Sequence, residues 1–137
     1  MLLRTHRATW PFVAFVLVGA ASGAVPSAES EAALRKSAAG LFSASRYTEA
    51  EALYRQIRSS ARRRSDHQAD LHLTSNIASC RYALFDYQGA VNLYQEVRGK
   101  ALAAGAFETA GVALINLSSV YSALWEPDAS DSSIREA

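Results

Sequence analysis

Residues 85–97, FDYQGAVNLYQEV, and residues 45–57, SRYTEAEALYRQI, align without a gap. The alignment pairs Tyr47 with Tyr87, Ala50 with Ala90, Leu53 with Leu93, Tyr54 with Tyr94, Ile57 with Val97 and Arg58 with Arg98, every pair 40 residues apart. The same offset extends outward. Ala38, Ala78 and Ser118 fall in line, as do Phe42 with Tyr82, Asn76 with Asn116, Ile77 with Leu117, Leu84 with Leu124 and Phe85 with Trp125. A fixed period of this length marks stacked supersecondary units that bury their apolar faces against one another.

Each unit reads as two helices. In the middle unit the first helix, about residues 66–85, places Leu73, Ile77, Cys80 or Arg81, and Leu84 three or four residues apart, the period of a buried helical stripe. The second, about 88–99, does so with Ala90 or Val91, Tyr94 and Val97. Ala38 and Ala78, with Ser118, and Ala50 and Ala90 are small enough for two helix axes to approach closely, and Tyr54 and Tyr94 fill the space beside them. Helix starts are expected at Thr48 with Glu51, at Ser65 with Gln68 and, more weakly, at Asp128 with Asp131, by the capping-box spacing. The run Arg62, Arg63, Arg64 then closes the preceding helix, where cations complement exposed carbonyls.

These residues resemble the tetratricopeptide repeats. The family's small residue, acidic turn with Tyr, then Ala and an aromatic stand here as Ala78, Asp86, Tyr87, Ala90 and Tyr94, and in the first unit as Ala38, Tyr47, Ala50 and Tyr54. The resemblance covers about residues 31–125. It implies an all-α fold of antiparallel helix-turn-helix units stacked into a short right-handed solenoid. The period of 40 exceeds the usual ~34, so longer helices are expected, as in extended bacterial members, some of which precede caspase-like CHAT domains. Phe85, where a turn glycine is common, suggests a less sharp turn.

The predicted organisation is a signal peptide over residues 1–24, a linker at 25–30 and a repeat domain over 31–137 with units 31–70, 71–110 and 111–137. The signal reading rests on Arg4 and Arg7 ahead of an apolar stretch from Trp10 to Ala21, then the small pair Ser22 and Ala24. The chain is therefore expected to be exported, periplasmic or secreted, and to meet a membrane only if that segment stays uncleaved as an anchor. The third unit reads as incomplete. Pro127 falls opposite Tyr47 and Tyr87, and Ser130 opposite Ala50 and Ala90, with no polar capping helix after it. Self-association through that uncapped repeat, a front segment of a longer envelope enzyme such as a CHAT-type protease, and a truncated fragment without function are the corresponding expectations.

Composition narrows the function. Of 137 residues half are apolar, and 14 basic against 13 acidic side chains leave a net charge of +1, which gives no electrostatic footprint for nucleic acid. Cys80 is the only cysteine and can form no internal disulfide; it is expected in the core. His67 and His72 are five residues apart, about 140° around a helix, and do not share an ion readily. His67 or Asp66 with Asp70 offers two ligands, too few for a metal site. No phosphate loop, serine elbow or catalytic carboxylate pair is legible, so no enzyme, cofactor or metal is expected.

The resemblance implies a groove lined by the first helices, which holds an extended or helical segment of a protein partner. Its candidate residues are Lys36, His72, Ser75, Asn76, Ser79, Asn116 and Ser119, flanked by Ala39, Ser43, Ala83 and Ile115. Asn76 and Asn116 lead, because a carboxamide both donates to and accepts from a peptide backbone; bonding between neighbouring helices is the alternative. Lys36 stands where the other units have Asn and suits a carboxylate.

Overall fold

A computed structural model describes residues 27–125. They form five α-helices: α1 (Ala28–Ser43), α2 (Tyr47–Arg63), α3 (His67–Ala83), α4 (Tyr87–Ala103) and α5 (Phe107–Trp125). Each helix packs on the next in the chain, and α3 also touches α5. The architecture is the expected all-α helical repeat. The expected signal peptide over residues 1–24 and the stretch from Glu126 onward, including the expected cap at Asp128, lie outside the described residues. Helix α1 begins at Ala28, inside the expected linker, with Ser27 accepting from the Ser30 N–H as its cap.

The links explain the period. All four are three residues long, at 44–46, 64–66, 84–86 and 104–106. In each the middle residue is left-handed: Ser45 (φ 59°), Ser65 (57°), Phe85 (62°) and Gly105 (71°). The residue after it sends its N–H five residues back, from Arg46 to Leu41, Asp66 to Ala61, Asp86 to Arg81 and Ala106 to Ala101, at 2.8–2.9 Å. This is the Schellman closure of a helix, which satisfies carbonyls that the helix end would leave unpaired. The same residue is the N-cap of the next helix. Ends and starts are thus fused, and α2, α3 and α4 are each 17 residues, so the structural step is 20 residues per helix.

That geometry corrects four expectations. Phe85 does not blunt its turn, which matches the one at Gly105; a bulky residue is held where left-handed backbone costs about 1–2 kcal/mol. Thr48 lies inside α2, whose N-cap is Arg46 without a side-chain cap bond. Ser65 is the left-handed link residue, and the cap passes to Asp66, whose carboxylate accepts from the Ala69 N–H. Helix α4 also runs to Ala103 instead of about Gly99, because no link residue intervenes earlier.

The core follows the 20-residue step. Ile57, Ile77, Val97 and Leu117 recur at that interval and are all buried. Ala38, Ala50, Ala78 and Ala90 have no exposed surface, which is the close helix approach their size allows. Tyr54 and Tyr94 pack beside them, and Cys80 is buried as expected. Ser118 differs from its counterparts Ala38 and Ala78, because no described element covers that face of α5. Leu114, Tyr121 and Trp125 are exposed there too. Among the described residues no helix is long and apolar enough to cross a membrane.

Candidate functional site

The charged side chains divide the molecule, because most of them are used up inside it. Glu31 of α1 accepts from Arg35 at 2.8 Å and from Arg64, at the end of α2, at 2.7 Å. Glu51 of α2 repeats the arrangement with Arg55 at 2.7 Å and Arg81 of α3 at 2.8 Å. Asp70 of α3 accepts from Arg58 at 2.8 Å and Arg62 at 2.9 Å, and Glu96 of α4 takes a second Arg58 nitrogen at 3.1 Å and Lys100 at 2.7 Å. Burial pushes the Glu31 and Asp70 carboxyls up, yet the arginine hydrogen bonds outweigh it and hold both below their ordinary values. Every buried side-chain nitrogen and oxygen among the described residues has a partner.

Sequence reasoning missed this ladder. The signal was present: Glu51 and Arg58 flank the buried positions Ala50 and Ile57, at the margin of the apolar stripe. The arginine run at 62–64 does close α2, and it also reaches neighbouring helices through Arg62 and Arg64. Asp70 is committed to arginines, and among the described residues no three His, Cys, Asp or Glu are placed to hold a metal ion.

The predicted groove residues sit on the other side of this division. His72, Ser75, Asn76 and Ser79 of α3 face Asn116 of α5 across a cleft of about 460 Å³, which Gln68, Glu108 and Val112 also line. Their i, i+3, i+4 and i+7 spacing puts them on one face of α3. Neither Asn76 nor Asn116 makes a side-chain hydrogen bond among the described residues, so the interhelical pairing considered for them does not form. Ser75 accepts through its backbone carbonyl from the Ser79 hydroxyl at 3.1 Å, and that hydroxyl lies 2.8 Å from the Tyr94 hydroxyl.

A second recess of about 530 Å³ adjoins the first through Ser79 and Asn116. It takes in Ser119 and Ala83, and its walls are Phe42, Tyr47, Tyr82, Phe85, Tyr87 and Tyr94. Phe42 and Tyr47 meet edge to face at 5.1 Å between ring centroids; one repeat later Tyr82 and Tyr87 meet at 5.6 Å, and Phe85 adds an edge contact to Tyr87 at 6.1 Å. No lining residue is charged. Sequence reasoning paired these aromatics by their offset without placing them together. Lys36, exposed on α1, lines neither recess, and neither do Ala39, Ser43 and Ile115.

Comparison with known proteins finds no matching family model, no matching curated protein and no matching solved structure.

Proposed function

We propose that this chain is a non-catalytic protein-interaction scaffold of the tetratricopeptide type, which holds a peptide segment of a partner in the cleft between α3 and α5. The observation that carries this reading is the pair of carboxamides, Asn76 and Asn116, facing one cleft from successive repeats with no intramolecular partner. A carboxamide offers two N–H donors and a carbonyl acceptor, the complement of a peptide unit. The surrounding His72, Ser75 and Ser79 are polar and Glu108 is the one carboxylate in the lining, while the buried charges are engaged elsewhere in the ladder. The 40-residue period and the Ala and Tyr positions support the family assignment, and the basic-then-apolar N-terminal sequence supports export, so the partner is an envelope or extracellular protein.

Selection of a displayed random-peptide library on the full chain tests the reading. A lost hydrogen bond costs about 0.5–1.5 kcal/mol net. Removing one from each carboxamide by Asn76→Ala with Asn116→Ala should weaken the selected peptides about tenfold or more. Unchanged affinity in a double variant with wild-type circular dichroism would remove these residues from the site and the reading with them.

A further inference from the structure

The aromatic recess beside that cleft narrows the class of partner. We infer that it binds a proline-rich segment in the polyproline II conformation, an inference that rests on the groove reading and specifies its ligand.

Three observations point the same way. The first is a strained residue kept at the mouth of the recess. Phe85 is left-handed at φ 62° with a side chain 78% exposed, while the equivalent link residues are Ser45, Ser65 and Gly105. Burial does not explain a phenylalanine here, and glycine would meet the backbone requirement without strain. Its one aromatic contact, the edge packing on Tyr87, holds the exposed ring beside the recess, and strain kept for so exposed a ring directs attention to what the side chain does.

The second is the hydrogen-bonding character of the walls. Among the described residues the hydroxyls of Tyr82 and Tyr87 and the carboxamide of Asn116 bond to no protein group, so residues with free donors line a recess of aromatic faces. A polyproline II segment has no internal hydrogen bonds, and its prolines lack N–H groups, so it presents carbonyl acceptors without competing donors. Proline rings stack on aromatic faces, the mode used by aromatic-lined grooves for such ligands. An amphipathic helix satisfies its own backbone and would leave these donors unpaired.

The third is charge. With no charged lining residue, and with Arg81 and Asp86 nearby paired to each other at 2.8 Å, the recess offers no counter-ion to an acidic or basic peptide. The aromatic pair also recurs, as Phe42 with Tyr47 and Tyr82 with Tyr87, so one extended ligand passes both. Its preformed conformation limits the ordering cost of binding.

The test is titration of the full chain with a blocked ten-residue polyproline peptide, followed by calorimetry and by nuclear magnetic resonance of the tyrosine rings. Saturable binding with shifts at Tyr82 and Tyr87 is expected. Phe85→Gly should weaken it at least tenfold while the urea midpoint stays near wild type, since glycine suits that backbone. Trp125→Ser, outside the recess, should bind as wild type. The inference is overturned by absence of saturable binding, by wild-type affinity in Phe85→Gly, or by loss of binding in Trp125→Ser with the fold intact. If proline-free peptides bind in an Asn76- and Asn116-dependent way while polyproline does not, this inference fails and the groove reading stands; if neither binds, both fail.

Discussion

Replacing Asp70 by leucine probes whether the ion ladder is a structural device or a decoration. The Asp70 side chain is 12% exposed and Arg58 is 11% exposed, joined at 2.8 Å. Without Asp70, Arg62 can turn to water, because half of its side chain is already solvent-accessible. Arg58 cannot. Breaking a buried pair from one side costs about 3–5 kcal/mol, and the remaining contact of Arg58 to Glu96 at 3.1 Å places the expected loss near the lower end, about 3 kcal/mol. Arg58→Met is milder, about 1–2 kcal/mol, since Asp70 keeps Arg62 at 2.9 Å. The two together remove both charges and leave apolar groups in contact, so the double variant should lie within about 1 kcal/mol of wild type. Urea unfolding followed by circular dichroism across the four proteins gives the coupling, expected at about 3 kcal/mol. Additive losses, or an Asp70→Leu cost under about 1 kcal/mol, would show that the pair is solvated in practice and that the reasoning is wrong.

Acid should act through the same groups. Asp70 and Glu31 sit below their unfolded values, so their contribution is complete above about pH 4–5 and is lost as pH falls through about 4 toward the folded values; a urea midpoint flat from pH 7 to 3 would contradict it. Burial, with a smaller effect of Glu51, pushes the Cys80 thiol up to about 11, so it should ignore a thiol-disulfide reagent at pH 8 until urea unfolds the chain, whereas native reaction at the rate of a free thiol would place it at the surface. Asp86→Ala removes the cap on the Gly89 N–H at 3.0 Å and the Arg81 contact, which should cost about 1–2 kcal/mol by urea melt; a loss under about 0.3 kcal/mol would mean that the link holds α4 without it. Leu114 and Tyr121 leave an apolar face on α5, so sedimentation should show concentration-dependent association that Leu114→Lys suppresses; a monomer at every concentration in the wild type would refute this.

The sequence exposed the hairpin and hid the helix step. Aligned side chains such as Tyr54 with Tyr94 recur only every second helix, because alternate helices meet different neighbours and select different residues. The 20-residue step is set by the backbone, in the left-handed residues of the four links, and no one residue type marks them: serine, serine, phenylalanine and glycine meet one requirement. That is why the capping boxes at Thr48 and Ser65 misled. Local side-chain patterns competed with a link geometry that already fixes where each helix starts, and the link won. The candidate site was legible where chemistry repeats along one helix face, as at His72, Ser75, Asn76 and Ser79. It was illegible at the aromatic recess, whose walls come from all five helices and which no spacing along a single element can reveal.

The division between ladder and groove also argues for where function resides. A solenoid exposes backbone-regular surface on every side, so a recognition face is distinguished by what it leaves unsatisfied. Glu31, Glu51, Arg58 and Asp70 are buried and each is ion-paired, which ties α1 through α4 together and leaves that side little capacity to bind more charge. Across the stack, Asn76, Asn116, Tyr82 and Tyr87 keep their polar groups free of protein partners while their apolar parts line a shared concavity. Packing alone would be served by leucine or alanine at those positions without the cost of desolvating a polar group on folding. Their presence on one face, in two successive repeats, supports the proposed peptide-binding face.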